Sequence, residues 1–161
     1  MWQELLTILQ NLTTCYQQLL ELNKKKHTIL VMVKLEELEE IVRKEQQIAG
    51  EIQQAEQGRQ GVLKQLAEEN PKIRPETKLR ELYVCCPEPE LAAKLHALHE
   101  ELETLVGQVK DAGENNEILI TSALSAVKYR LNQLGSSAVE PTYGAEGQEK
   151  VSHQKKFDFR A

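Results

Sequence analysis

LAAKLHALHEELETLVGQVKDAGENNEIL, residues 91–119, carries an apolar stripe whose positions are three or four residues apart. The stripe consists of Leu91, Leu95, Leu98, Leu102, Leu105, Val109, Ala112, Asn116 and Leu119. An α-helix turns once per ~3.6 residues, so these positions fall on one face of a helix. Because an apolar face cannot remain in water, the stripe predicts a long helix that packs against another helix.

Two earlier stretches have the same spacing. The first stripe is Leu5, Leu9, Leu12, Tyr16 and Leu19. The second stripe is Leu38, Ile41, Glu45, Ile48, Ile52, Ala55, Arg59, Val62 and Leu66. This stripe contains two charged residues, Glu45 and Arg59, and their positions have two interpretations. A polar residue in a buried stripe often fixes the register of the helices, but a long charged side chain can also reach the edge of the stripe.

The composition indicates a thin aliphatic interior. Aromatic residues make up only 4% of the 161 residues, as is usual in coiled coils and bundles. The chain is therefore predicted to be all-α, an elongated antiparallel helical hairpin or coiled-coil bundle of three long helices with a short connector helix. Residues 1–134 are expected to form this bundle, and residues 135–161, which have no stripe, a flexible disordered tail.

The element boundaries follow from where the stripes stop. Helix 1 is expected from Trp2 to about residue 30, helix 2 from about 35 to 67, and helix 3 from about 88 to 134. A change of register and a β-branched cluster predict a tight turn at residues 31–34, although one continuous helix with a stutter is an alternative. Gly135 is predicted to stop the last helix.

Prolines break the pattern between helices 2 and 3. Residues 70–90 contain Pro71, Pro75, Pro87 and Pro89. Between them, residues 76–84 are predicted to form a short helix, and the whole region is predicted to be a connector that crosses the end of the bundle.

Charge and hydropathy exclude several classes of function. The net charge is −5 and no basic stripe is present, so we expect no nucleic-acid partner. No stretch reaches the ~18 apolar residues of a membrane span, so we expect no membrane insertion. No secretory signal is visible, and three cysteines form no disulfide pattern. A cytoplasmic location with reduced thiols is expected.

No motif indicates an enzyme, a cofactor or a metal. The chain lacks a Gly-rich phosphate loop, a nucleophile elbow and an HExxH pattern. His96 and His99, with Glu100 and Glu103, have helical spacing that suits a metal. However, leucines occupy the stripe there, so these side chains are interpreted as a solvated face. The pair Cys85-Cys86 lacks the two-residue gap of usual metal sites.

The third helix is predicted to be longer than the other two can cover. At 1.5 Å per residue the three helices would span about 45, 50 and 70 Å. Residues 118–134 should therefore project, bend or meet another chain. Ala123 and Ala126 leave shallow places where a partner helix could approach. Burial of the same residues within the chain's own bundle, or in a homodimer, is an equal alternative.

Three features together resemble a known family. They are the stripe from Trp2 to Leu22 followed by Lys24-Lys25-Lys26 and Leu35-Glu-Glu-Leu-Glu, the run ending in Arg59 and Leu63, and the segment Leu102 to Leu134 with Asn115-Asn116-Glu-Ile-Leu before Thr142-Tyr143-Gly144. With these features the chain resembles the FlgN family, the flagellar export chaperones of hook-associated proteins. That family often has a Gly-Asp type turn between its first helices, where Met32-Val33-Lys34 stands here.

The resemblance implies a cytoplasmic chaperone rather than an enzyme. Such proteins bind the C-terminal amphipathic helices of hook-associated (hook–filament junction) proteins, prevent their premature assembly and deliver them to the flagellar export gate. The expected binding residues are Asn115, Asn116, Leu119, Ile120, Ala123, Leu124, Val127 and Leu131. Tyr143 is a candidate contact with the export gate. The alternative is a structural, self-associating coiled-coil protein with no distinct client.

Overall fold

The computed structural model describes residues 1–74, 77–137, 142–143 and 149–150. Its long helices are α1 (Trp2–Met32), α2 (Leu35–Glu69) and α4 (Pro89–Ser137), with the short helix α3 (Leu79–Leu82) before a 3₁₀ turn (Tyr83–Cys85). The prediction of an all-α fold with three long helices and a short connector helix is confirmed. The chain divides into two compact units, Met1–Glu117 and Ile118–Ala161.

The predicted tail lies mostly outside the described residues. Within it, strands β1 (Thr142–Tyr143) and β2 (Glu149–Lys150) pair antiparallel, with Thr142 opposite Lys150 and Tyr143 opposite Glu149. The boundary between a bundle at 1–134 and a tail at 135–161 stays a prediction.

Helices α1 and α2 form the predicted antiparallel hairpin, joined by a two-residue turn. The Val33 N–H donates to the Leu30 carbonyl (3.3 Å), and the Lys34 N–H donates to the Ile29 carbonyl (3.1 Å). These two bonds form a Schellman motif, which satisfies carbonyls that the end of a helix leaves open. The turn was correctly predicted, and the alternative of one continuous helix is wrong.

Val33 has an unusual backbone conformation in this turn. Its φ of 58° and ψ of 38° lie in the left-handed region, where glycine is the usual residue. A side chain with a branched Cβ is crowded there, at a cost of about 1–2 kcal/mol. The turn therefore forms because α1 and α2 pack together, despite the local preference of this residue.

The connector between α2 and α4 packs against the long helices of the unit Met1–Glu117. The Asn70 side-chain carbonyl accepts from the Lys72 N–H (3.0 Å), and the Thr77 hydroxyl accepts from the Arg74 N–H (2.7 Å). Ile73 and Leu82 are both buried in the same apolar cluster as the long helices. The short helix predicted at residues 76–84 is confirmed in position, but among the described residues of that range only Leu79–Leu82 are α-helical.

Helix α4 begins at Pro89, where the missing N–H of proline costs no helical bond. It continues through Gly135 to Ser137, so the prediction that Gly135 stops the helix is wrong. A glycine ends a helix when it takes the left-handed conformation. Gly135 does not take it, and instead it remains helical at an entropic cost of about 1 kcal/mol.

Two apolar clusters hold the helices together. The larger cluster combines all three long helices and the connector; its buried members are Leu5, Leu6, Leu9, Leu12, Val62, Leu63, Leu66, Ile73, Leu82, Leu91 and Leu95. The smaller cluster lies nearer the hairpin turn and is formed by α1 and α2; its buried members are Cys15, Leu22, Ile29, Ile41 and Ile48.

A salt bridge crosses the hairpin beside the smaller cluster. Lys26 Nζ of α1 lies 2.7 Å from Glu45 Oε2 of α2, and both side chains are only 17% exposed. Glu45 is thus a stripe residue with a partner on the facing helix, which agrees with the interpretation that it fixes register. Arg59 instead pairs within α2, with Glu56 at 2.8 Å.

The turn gives the first testable prediction. Val33→Gly should raise the free energy of unfolding by about 0.5–1 kcal/mol, because glycine relieves the crowding but loses more entropy on folding. Thermal and urea unfolding measure this change.

Val31→Gly is the matched control, because Val31 is also an exposed valine but lies inside α1. It should lower stability by a few tenths of a kcal/mol. Equal destabilisation by both substitutions would show that residue 33 is not left-handed in solution.

Candidate functional site

The apolar stripe of α4 changes its surroundings along the helix. In its first half the stripe is buried or half-buried, with Leu95 1% and Leu105 9% exposed. At about 100° per residue, Ile120, Leu124, Val127 and Leu131 continue the same face. The stripe therefore continues on the same side of the helix into residues 121–135, all of which are exposed.

The exposed end of the stripe is a continuous apolar face. Leu124, Val127 and Leu131 are 55–56% exposed, and Ile120 is half-buried. These four residues follow one another at intervals of four, three and four. Such alternation is the spacing of a coiled-coil seam, which another helix can cover with side chains that interlock. Ala123, also exposed, leaves room at the edge of the face.

A buried amide marks the point just before the stripe becomes exposed. The Asn116 side chain is 2% exposed, and its Nδ2 donates to the backbone carbonyl of Asn23 (2.9 Å) and to Asn23 Oδ1 (3.3 Å). Asn23 Nδ2 donates in turn to the Leu19 carbonyl (3.0 Å). Asn116 Oδ1 has no hydrogen-bond partner among the described residues. This pair ties α4 to α1.

The residues expected to bind a partner therefore differ in their surroundings. Asn115, Ala123, Leu124, Val127 and Leu131 are exposed, and Leu119 and Ile120 are half-buried. Asn116 faces α1, so it can meet a partner only if α4 leaves α1. Tyr143 lies in strand β1, and its side chain is outside the described residues.

The histidine cluster of α4 forms an ion-pair network with the connector. Arg80 donates to both carboxylate oxygens of Glu103 (2.7 and 3.0 Å) and to His99 Nε2 (3.3 Å). The centroids of the Tyr83 and His96 rings are 4.9 Å apart. The hydrogen bond from Arg80 lowers the pKa of Glu103. Within the described part of the chain, no group of three or more His, Cys, Asp or Glu side chains is arranged to hold a metal.

A shallow groove lies between α1 and α2 near the smaller cluster. Leu22 and Ile48 contribute apolar surface, and its polar lining includes Gln18 and Glu51. The Cys15 thiol borders the groove, but burial and then the Glu51 carboxylate raise its pKa. A raised pKa leaves little thiolate, so this side chain is a poor nucleophile.

Sequence reasoning missed the exposed apolar tip of the hairpin. Val31, Met32 and Val33 are 61–72% exposed. The sequence signal for this tip is the short apolar run from Ile29 to Val33.

Comparison with known protein families gives a match that covers most of the chain. Residues 1–150 match the family described as FlgN protein. The chain belongs to the FlgN family. FlgN proteins are chaperones of flagellar assembly, and an exposed helical face is a suitable candidate site for a chaperone.

No curated protein sequence and no solved structure gives a significant match. Within the described residues of this FlgN-family chain, no helix is apolar over enough of its length to span a bilayer.

The buried amide of this FlgN-family chain gives a second prediction. Asn116→Asp should lower the free energy of unfolding by about 2–4 kcal/mol, because a carboxylate would replace the amide donor and face two oxygens of Asn23 in a buried place. The deficit relative to wild type should grow as the pH rises, since burial raises the pKa of the new carboxyl and its charged form is the unfavourable one.

Asn115→Asp is the isosteric control, one residue away and exposed. Urea unfolding of both variants between about pH 4 and pH 8 compares them. If Asn116→Asp were no less stable than Asn115→Asp, Asn116 would not be buried against α1 in solution.

Proposed function

We propose that this FlgN-family chain is a cytoplasmic export chaperone for hook-associated (hook–filament junction) proteins. It binds their C-terminal amphipathic helices, prevents premature assembly and delivers them to the flagellar export gate. One observation supports the proposal most: the apolar stripe of α4 continues in phase past Glu117 and is exposed there. The client surface consists of Leu119, Ile120, Ala123, Leu124, Val127 and Leu131.

The client surface suits an amphipathic helix for physical reasons. A helix with an exposed apolar stripe is prone to assemble inside the cell. Laid along α4, it would bury its stripe and the client surface together. Full burial of a Leu or Val contributes about 1.5–3 kcal/mol, so side chains that are now half-exposed would each contribute about 1 kcal/mol.

Tyr143 is the proposed contact with the export gate. It follows the client surface in the sequence, and both belong to the second compact unit. The chaperone would hold a client and meet the gate with different residues.

Self-association is the second candidate function. The four-three-four spacing of Ile120, Leu124, Val127 and Leu131 is also the seam of a homodimeric coiled coil. A structural protein of this kind would form a stable homo-oligomer and bind no distinct client. Light-scattering chromatography, alone and with a client peptide, separates the two functions by stoichiometry.

The client surface gives a third prediction. Leu124→Asp/Val127→Asp should weaken binding of a peptide from the C-terminal helix of a hook-associated protein by about 100-fold or more, because apolar burial is lost and two charges must be desolvated. Isothermal titration calorimetry with the full chain measures this loss.

Ser122→Asp/Ser125→Asp is the control with the same charge change on the opposite side of α4, where both serines are exposed. It should bind the peptide with nearly wild-type affinity. Unchanged affinity in a folded Leu124→Asp/Val127→Asp variant would refute the client surface. Loss of a homo-oligomer without any peptide binding would favour the structural function.

A further inference from the structure

The charge of α4 changes where its stripe becomes exposed. Residues 118–137 contain two cations, Lys128 and Arg130, and no Asp or Glu. The preceding unit is acidic, with 14 Lys and Arg against 21 Asp and Glu in residues 1–117. The exposed end of α4 is thus a basic segment of an acidic protein.

The two cations lie on opposite edges of the client surface. Lys128 follows Val127 and is rotated from it by about 100°, whereas Arg130 precedes Leu131 and is rotated by about 100° in the other direction. Both are exposed. They occupy the positions that flank the seam of a coiled coil, where charged side chains select the partner helix.

We propose that the client surface selects an amphipathic helix whose apolar stripe is flanked by Asp or Glu. This inference rests on the proposed function, because it concerns the partner of the same surface. The long stems of Lys128 and Arg130 would cover the edges of the partner's stripe while their charged ends meet its carboxylates. A partner helix with basic flanks would instead meet like charges across the seam.

The same charges disfavour a second copy of this chain as the occupant. A second α4 would bring two more cations and no carboxylate from residues 118–137. The stripe alone would suit either partner, so the flanking charges decide in favour of an acidic one.

Two synthetic helical peptides test the selection with the full chain. They share one length and one Leu/Ile stripe, and they differ only in carrying Glu or Lys at the flanking positions. Wild type should bind the Glu peptide about tenfold more tightly at ~0.05 M salt, and the difference should shrink towards ~0.5 M because exposed charges are screened. Lys128→Glu/Arg130→Glu should reverse the preference.

Lys64→Glu/Lys94→Glu is the matched control, since it makes the same change of net charge at exposed positions of the unit Met1–Glu117. It should keep the preference for the Glu peptide. Equal binding of both peptides to wild type, preference for the Lys peptide, or an equal loss of preference in the control would each overturn the charge selection.

The result for the client peptide separates the two proposals. If neither synthetic peptide binds but the peptide from a hook-associated protein does, the acidic selection is overturned and the proposed function stands. If the client peptide also fails to bind, the proposed function is overturned, and the charge selection fails with it.

Discussion

Helix α4 carries one apolar stripe that has to be covered along its length, and the rest of the structure depends on how much of it is covered. The hairpin supplies helices of 31 and 35 residues, whereas α4 has 49. Up to Asn116 the stripe is buried or half-buried. From residue 121 it continues in the same phase with every side chain exposed. Only in this segment are residues of the stripe exposed to solvent. This exposure, rather than a pocket, identifies the candidate site.

Polar contacts give the bundle its register. An apolar stripe packs almost equally well after a slide of one heptad, so leucines alone do not choose one alignment. The Lys26–Glu45 salt bridge selects the alignment of α1 with α2, and the Asn23–Asn116 amide pair selects that of α4 with α1. Each pair is buried enough that a shifted register would leave its members without partners, which costs more than the pair contributes.

The sequence was sufficient for the long helices and for the start of α4 at Pro89, because periodicity and proline positions are local signals. The turn at Val33 was located by a change of register, although its left-handed conformation has no local signal in a β-branched residue. Gly135 does not end α4, because glycine permits a helix end without requiring one. Asn116 was placed on the stripe and also among the binding residues, because spacing does not reveal which helix covers a position. The choice of Asn23 as its partner depends on tertiary packing across 93 residues.

The two-residue turn between α1 and α2 has a consequence for the order of folding. Contacts across this turn close short loops, so the hairpin can form early, whereas the contacts of α4 close much longer ones. About 25 residues separate the end of α2 from Leu95, which belongs to the same apolar cluster as Leu5, Leu9 and Leu66; at roughly 5–20 residues per second, their synthesis takes about 1–5 s. For that time the nascent hairpin has no α4 to complete the cluster around these three leucines. The newly made protein therefore passes through the same hazard of uncovered leucines from which a chaperone protects its clients.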